Sequence, residues 1–334
     1  MKALVLGVGR MGEVICYAMK RLGFEVIGAD SSEHSVKNFR KHITEGSEGA
    51  FYLTDQNDAN KSIERVIFFE QPDIVISSLP YHQTGEFAYW CIDNKFRYCD
   101  LGGRVDVSKS INNYAKEKAT KPVMTDLGLA PGWVNILAEE GYRKLYGPSE
   151  ETTIKMMVGG LPDYLVSNNN PLRYGITWSI DGLINEYRDD CVILEDGEIK
   201  TVKGMDGLEN VESEKLGELE AFYTSGGASH SIRSMKKRGV KNCSYKTLRY
   251  RGHRNIINFL IRDCELDDKT LNKIFTKGCG FAEKDEVIIL AKVRKDNKVW
   301  SEEKLIQSDL SFSAMQKATA YPISAVASLM AEGF

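Results

Sequence analysis

The sequence predicts an α/β protein: an N-terminal doubly wound parallel sheet, a second α+β domain, and a terminal helix that returns to the first. Three observations lead there. A glycine fingerprint at the N-terminus separates an apolar run from a helical pattern. Short apolar runs then alternate with helix-periodic segments up to about residue 130, and beyond that point the rhythm is lost. The expected divisions are 1–130 for the doubly wound domain, 131–310 for the α+β domain, and 311–334 for the helix.

The chain has 334 residues, room for two domains of ordinary size with a buried core. A 42% hydrophobic and 27% charged composition is that of a folded soluble protein. The net charge of −3 gives no field to recruit nucleic acid or an anionic membrane. No apolar run approaches the roughly 20 residues that span a bilayer. The opening "MKALVLGVGRMG" has too short an apolar stretch for a signal peptide and runs into glycines rather than a cleavage site. Seven cysteines at irregular spacing, with no Cys-x-x-Cys, argue against a disulfide scaffold and against a metal cluster. The expectation is a cytoplasmic protein without metal.

Ala3 to Leu6 reads as a strand buried on both faces. Gly7, Gly9 and Gly12 follow at G-x-G-x-x-G spacing, with Arg10 and Met11 inside the loop, and open a helix running to Arg21. Gly7 permits the tight turn, Gly9 the approach of a pyrophosphate, and Gly12 the packing of helix on strand. The pyrophosphate would rest on the helix start, where free N–H groups and the helix dipole favour negative charge. "FEVIGAD" is the next strand, and Asp30 at its end stands 30 − 12 = 18 positions after the third glycine. That context marks a dinucleotide site. Asp30, with Ser31 beside it, would accept the ribose hydroxyls and repel a 2′-phosphate, so NAD is expected and NADP disfavoured.

"AFYLTD" (50–55), ending at Asp55, reads as the third strand, and "PDIVISSLP" (72–80) as the fourth. Ser78, Leu79 and Pro80 then fall at the edge of the sheet where ligands lie. "RYCDLGG" (97–103) and "KPVMTDLG" (121–128) are the fifth and sixth strands, placing Asp100 and Asp126 at strand ends, as turn formers or as functional acids. In "TDLGLAPGWVNIL" (125–137) Pro131 suits a helix's first turn and Gly132 allows close backbone approach. The helix start would face a nicotinamide carboxamide or a substrate carboxylate.

In the second half, "ETTIKMMVGGLP" and "YKTLRYRGH" read as strands, "DGLINEY" and "DDKTLNKIF" as helices, and "VILEDGEIKTV" as a hairpin. "GLENVESEKLGELEAF" reads as a solvated acidic loop, and "FYTSGGASH" (222–230) as a segment able to close over a ligand. In "TLRYRGH" strand alternation would put Arg249, Arg251 and His253 on one face, suited to a carboxylate-bearing substrate. The small, apolar "SAMQKATAYPISAVASLMAEG" reads as a close-packing helix kinked at Pro322.

Taken in order, "LVLGVGRMG", "DLGG", "TDLGLAPGWVNIL", "FYTSGGASHS" and "TLRYRGH" resemble the saccharopine dehydrogenase family, and within it the lysine 6-dehydrogenase branch. The resemblance runs from residue 1 to the last helix. It implies a Rossmann domain joined to an α+β domain like those of dihydrodipicolinate reductase and glyceraldehyde-3-phosphate dehydrogenase, and a homodimer. It implies an NAD-dependent oxidation of L-lysine at the ε-carbon, giving 2-aminoadipate 6-semialdehyde and ammonia. A saccharopine or carboxyspermidine-type C–N dehydrogenase is the alternative. Ala130-Pro131-Gly132 matches the lysine 6-dehydrogenase pattern rather than the Asp-Pro-Gly of the glutamate-forming enzymes. The resemblance implies a base among Asp126, Asp100 and His253, a carboxylate ligand in Arg249 or Arg251, and an apolar wall at Trp178. A dinucleotide-sensing protein without catalysis is the reading from another class.

Overall fold

A computed structural model describes residues 1–44, 46, 48–55, 58–145, 151–282 and 284–334. The chain divides into two compact units: Met1–Gly132 with Gln316–Phe334, and Trp133–Met315.

In the first unit β1 (Lys2–Leu6), β2 (Glu25–Asp30), β3 (Gly49–Leu53), β4 (Ile74–Ser77), β5 (Tyr98–Asp100) and β6 (Val123–Met124) form one sheet. Its order is β3-β2-β1-β4-β5-β6, every pair parallel. Between the strands run α1 (Arg10–Arg21), α2 (Glu33–Arg40), α3 (Ala59–Glu70), α4 (Tyr81–Asp93) and α5 (Val105–Lys118). This is the doubly wound arrangement the sequence predicts. Ala3, Leu4, Val5 and Leu6 are all fully buried, because helices cover both faces of the central strand. On α1, Val14, Ile15, Ala18 and Met19 form the buried stripe, while Glu13 in the first turn and Lys20 and Arg21 in the last complement the helix dipole.

Two strands are shorter than expected. β5 stops at Asp100 because Gly102 and Gly103 take φ of +79° and +132°. β6 spans only Val123–Met124, and Asp126 turns the chain with φ +65°. Pro131 does not open the next helix. It lies in a turn after a cis Ala130–Pro131 bond, and α6 (Trp133–Lys144) starts two residues later.

The second unit continues with β7 (Thr152–Pro162), α7 (Tyr164–Asn168), α8 (Ile180–Arg188), β8 (Cys191–Glu195), β9 (Glu198–Val202), β10 (Glu209–Ser213) and β11 (Gly217–Tyr223). Then come α9 (Ser231–Lys237), β12 (Asn242–Tyr250), α10 (His253–Asn258), α11 (Asp268–Gly278), β13 (Asp285–Lys295) and β14 (Lys298–Gln307). The main sheet is mixed, in the order β10-β11-β12-β7-β13-β14, with the β8–β9 hairpin attached through β12.

The expected acidic loop at 207–222 is in fact the β10–β11 hairpin. Two of its acids are tied into the fold: Glu209 pairs with Lys155 and Lys246, and Glu220 accepts the N–H groups of Gly252 and Arg254. Val211 faces Leu219 across the pair and supplies the apolar side. The last helix, α12 (Ala314–Glu332), buries Ala318, Ala320, Ile323, Ser324 and Ala327. Its Gln316 Nε2 donates to the Arg10 carbonyl at 2.8 Å, and Pro322 lies inside it. No helix among the described residues is long and apolar enough to cross a membrane.

Candidate active site

The glycine loop is built as a cradle. Gly7 turns at φ +81° and donates to the Ala29 carbonyl at 2.9 Å. A Cβ on Gly12 would lie 1.9 Å from the Gly7 oxygen, so helix and strand meet only because none is there. At Gly9 an added Cβ would meet no atom of the described residues within 4 Å. Packing therefore does not demand this glycine, whereas a phosphate brought against the backbone would. The N-cap of α1 is Gly9, which has no side chain to cap it, and this leaves the helix start suited to an anion. Ser78 and Leu79 border the turn, each with an atom 3.1 Å from a Cβ built on Gly7, and Pro80 is the residue before α4. These residues fit a dinucleotide pyrophosphate.

Asp30 does more than the sequence suggested. Its Oδ2 accepts the Val8 N–H at 2.7 Å and its Oδ1 the Ser32 N–H at 2.8 Å. The carboxylate thus ties the glycine loop to the end of β2, and each oxygen keeps a lone pair for a ribose hydroxyl. Ser31 is half-buried between them in sequence, Arg10 is exposed and Met11 half-buried. Asp55 is exposed, two residues beyond β3.

At the C-terminal rim of β5 and β6 two carboxylates converge. Asp100 is buried, and its Oδ1 accepts the N–H groups of Gly102 at 2.9 Å and Asp126 at 3.2 Å. Its Oδ2 is buried and has no hydrogen-bond partner among the described residues. Burial, then the neighbouring Asp126 charge, pushes the Asp100 carboxyl up to about 7. Asp126 is half-buried and its Oδ1 accepts the Ser108 hydroxyl at 2.6 Å. A side chain on Gly102 would strike that same oxygen at 2.3 Å, so the glycine makes room for the carboxylate. Gly132, by contrast, is fixed by backbone: its Cβ would fall 2.1 Å from the Gly128 oxygen.

In the second unit the predicted Arg249–Arg251–His253 face does not form. β12 ends at Tyr250, and Gly252 at φ +96° turns the chain into α10, which begins at His253. Arg251 is left exposed and pairs with Glu218 on the surface. Arg249 and His253 do come together, through a residue the sequence reading missed. The Arg249 Nε–H donates to the Tyr187 hydroxyl at 3.0 Å, and that hydroxyl lies 2.9 Å from His253 Nε2. His253 Nδ1 sits 2.7 Å from the Leu172 carbonyl, which can only accept, so Nδ1 carries the proton and Nε2 receives the tyrosine's. Burial, then the Arg249 charge, lowers the imidazole to about 3. His253 is neutral and fully enclosed, which suits it to fixing Tyr187 and not to taking a substrate proton. Trp178 is half-buried, packs on the cluster around Leu183 and Tyr187, and covers Gly182. The Asn135 side chain donates to Ser231 Oγ at 2.8 Å and to the Ala228 carbonyl at 3.2 Å, tethering the end of the 222–230 segment. Tyr187 and His253 are 66 residues apart, a separation that leaves no local sequence signal. Among the described residues no group of three or more His, Cys, Asp or Glu is placed to hold a metal ion.

A Rossmann-type dinucleotide-binding unit followed by a mixed-sheet unit defines the class. Residues 3–126 match the saccharopine dehydrogenase NADP binding domain, and residues 128–334 match the saccharopine dehydrogenase C-terminal domain. The chain belongs to the saccharopine dehydrogenase family. It is 26% identical over 289 residues to the mitochondrial alpha-aminoadipic semialdehyde synthase of Rattus norvegicus, covering 78% of this chain and 28% of that protein. The Arabidopsis thaliana alpha-aminoadipic semialdehyde synthase is 23% identical over 238 residues, covering 66% of this chain and 22% of its own. The chain thus spans about a quarter of the length of these relatives. Among solved structures, saccharopine dehydrogenase (L-Glu forming) from Saccharomyces cerevisiae superposes with a TM-score of 0.71 at 17% identity, covering 99% of this chain and 91% of that one.

Proposed function

We propose that this chain is an NAD-dependent oxidoreductase acting on a CH–N centre of an amino acid, with the ε-carbon of L-lysine as its substrate carbon. The observation that carries the reading is the Asp100–Asp126 pair at the C-terminal rim of a dinucleotide-binding sheet. When bound, the nicotinamide supplies the hydride acceptor. A primary ammonium must lose a proton before its carbon can lose hydride, so a base is needed at the nitrogen. Asp126 takes that role, held by Ser108, while Asp100 holds the Asp126 backbone and exchanges protons near neutrality. After hydride loss the substrate is a protonated imine. Water adds to its carbon, the C–N bond breaks, and aldehyde and ammonia leave, with the same carboxylates accepting the water's proton.

Arg249 holds the substrate carboxylate: it is a buried guanidinium with no carboxylate within ion-pair distance among the described residues. Such a charge is costly unless an anion completes it. Asp30 favours NAD over NADP by repelling a 2′-phosphate. A panel of L-lysine, L-ornithine, saccharopine and cadaverine, each with NAD and with NADP, tests the reading by the absorbance of reduced nicotinamide. L-lysine with NAD should be fastest. Turnover of saccharopine alone moves the assignment to a secondary-amine dehydrogenase, and NAD binding with no turnover on any amine makes the chain a dinucleotide sensor.

A further inference from the structure

Around Arg249 the second unit holds polar groups that no hydrogen bond among the described residues accounts for. The Arg249 guanidinium lies over the Tyr174 and Tyr187 rings, 4.8 and 5.8 Å from their centroids, and its Nη1 donates to the Leu248 carbonyl at 2.9 Å. Tyr174 Oη and Thr177 Oγ1 are both buried without a hydrogen-bond partner among the described residues. In a native core such orphaned hydroxyls are rare and point to a missing ligand or water.

Glu186 stands on α8 immediately before Tyr187. Its backbone carbonyl accepts the Ser225 N–H at 3.0 Å, but among the described residues its carboxylate makes no hydrogen bond or ion pair. The charged and titratable groups facing it are Arg249, Tyr174, Tyr187, Tyr245 and Cys191. Loss of solvent pushes its carboxyl up to about 7, and the Arg249 charge opposes the rise. Glu186 is half-buried, and it and the buried Arg249 guanidinium act on one another without an ion pair between them. A ligand carrying both charges a few bonds apart satisfies both.

We propose that Arg249 and Glu186 together read the zwitterionic head of an α-amino acid, the guanidinium taking its carboxylate and Glu186 its ammonium. The Tyr174 and Thr177 hydroxyls complete the hydrogen bonds to that head. The assignment rests on the reading of this chain as an amino-acid dehydrogenase, and it places substrate selection in the second unit.

The test is calorimetric titration of the NADH-loaded protein, which cannot accept hydride, wild type and Glu186→Gln, with L-lysine and with 6-aminohexanoate, which lacks only the α-amino group. At about pH 8.5, where Glu186 is ionised, wild type should bind L-lysine roughly tenfold to a hundredfold more tightly. Glu186→Gln should erase most of that ratio and leave 6-aminohexanoate affinity and the thermal midpoint unchanged. Equal loss for both ligands, an unchanged ratio in the variant, or no binding of either by wild type overturns the proposal. Turnover is scored separately. If L-lysine binds with the Glu186-dependent preference but is never oxidised, the dehydrogenase reading fails and the head-group site stands.

Discussion

Asp30 accepts the Val8 and Ser32 N–H groups, and the proposed function adds the cofactor ribose to its partners. Asp30→Ala should therefore raise the KM for NAD, narrow the gap to NADP, and lower stability by about 1.5–3 kcal/mol through the lost charged hydrogen bonds. Wild type using NADP as well as NAD would contradict the ribose role, and an unchanged thermal midpoint would contradict the anchoring role. At the carboxylate pair, Asp126→Asn should depress kcat/KM for the amine while NAD affinity holds. Retained activity with about 1 kcal/mol of lost stability would make Asp126 a turn cap instead. Asp100 gives a pH signature. Its carboxyl rises from an ordinary 3.8 to about 7 in the fold, so the unfolded chain loses this proton first. The group's contribution to stability therefore falls as pH rises between those values and is level above them. Urea unfolding should show wild type losing stability relative to Asp100→Asn from about pH 4 to 7. A difference independent of pH would mean that Asp100 ionises normally.

The glycine loop separates packing from binding. Gly12→Ala sets a Cβ 1.9 Å from a backbone oxygen that cannot swing aside, so α1 must shift and stability should fall by about 1–3 kcal/mol or more. Gly9→Ala meets no atom of the described residues within 4 Å, so melting without cofactor should be unchanged while NAD affinity drops. Normal NAD binding by Gly9→Ala would remove the loop from the cofactor site. This element was legible in the sequence because its determinants are local: a buried apolar strand, glycines at fixed spacing, and an acid at the next strand's end. The β8–β9 hairpin was legible for the same reason, its turn carried by Asp196 and Gly197 at φ +51° and +80°. Elsewhere local reading failed where distant contacts decide. The 207–222 segment looked like an acidic loop, yet Lys155 and Lys246 neutralise Glu209 and make it a strand. The "TLRYRGH" alternation broke at Gly252, where Glu220 accepts the backbone N–H groups of Gly252 and Arg254 and anchors the start of α10. Arg249 survived as a candidate; Arg251 became a surface ion pair, and His253 a buried prop for Tyr187.

Across the whole molecule, two domain models of one family cover the chain from residue 3 to residue 334, apart from residue 127. The relatives named for semialdehyde synthesis are several times longer, so their full activity does not transfer with the fold. What the chain itself offers is a cofactor cradle, a carboxylate pair in the first unit and a buried guanidinium in the second. The central claim is that this chain oxidises a primary amine of an amino acid with NAD. The most direct measurement incubates the purified protein with L-lysine and NAD and follows reduced nicotinamide and released ammonia together. Equimolar appearance of both, with cadaverine far slower because it lacks the carboxylate, is the predicted result. Reduced nicotinamide without ammonia, equal rates on lysine and cadaverine, or no reduction at all would contradict it.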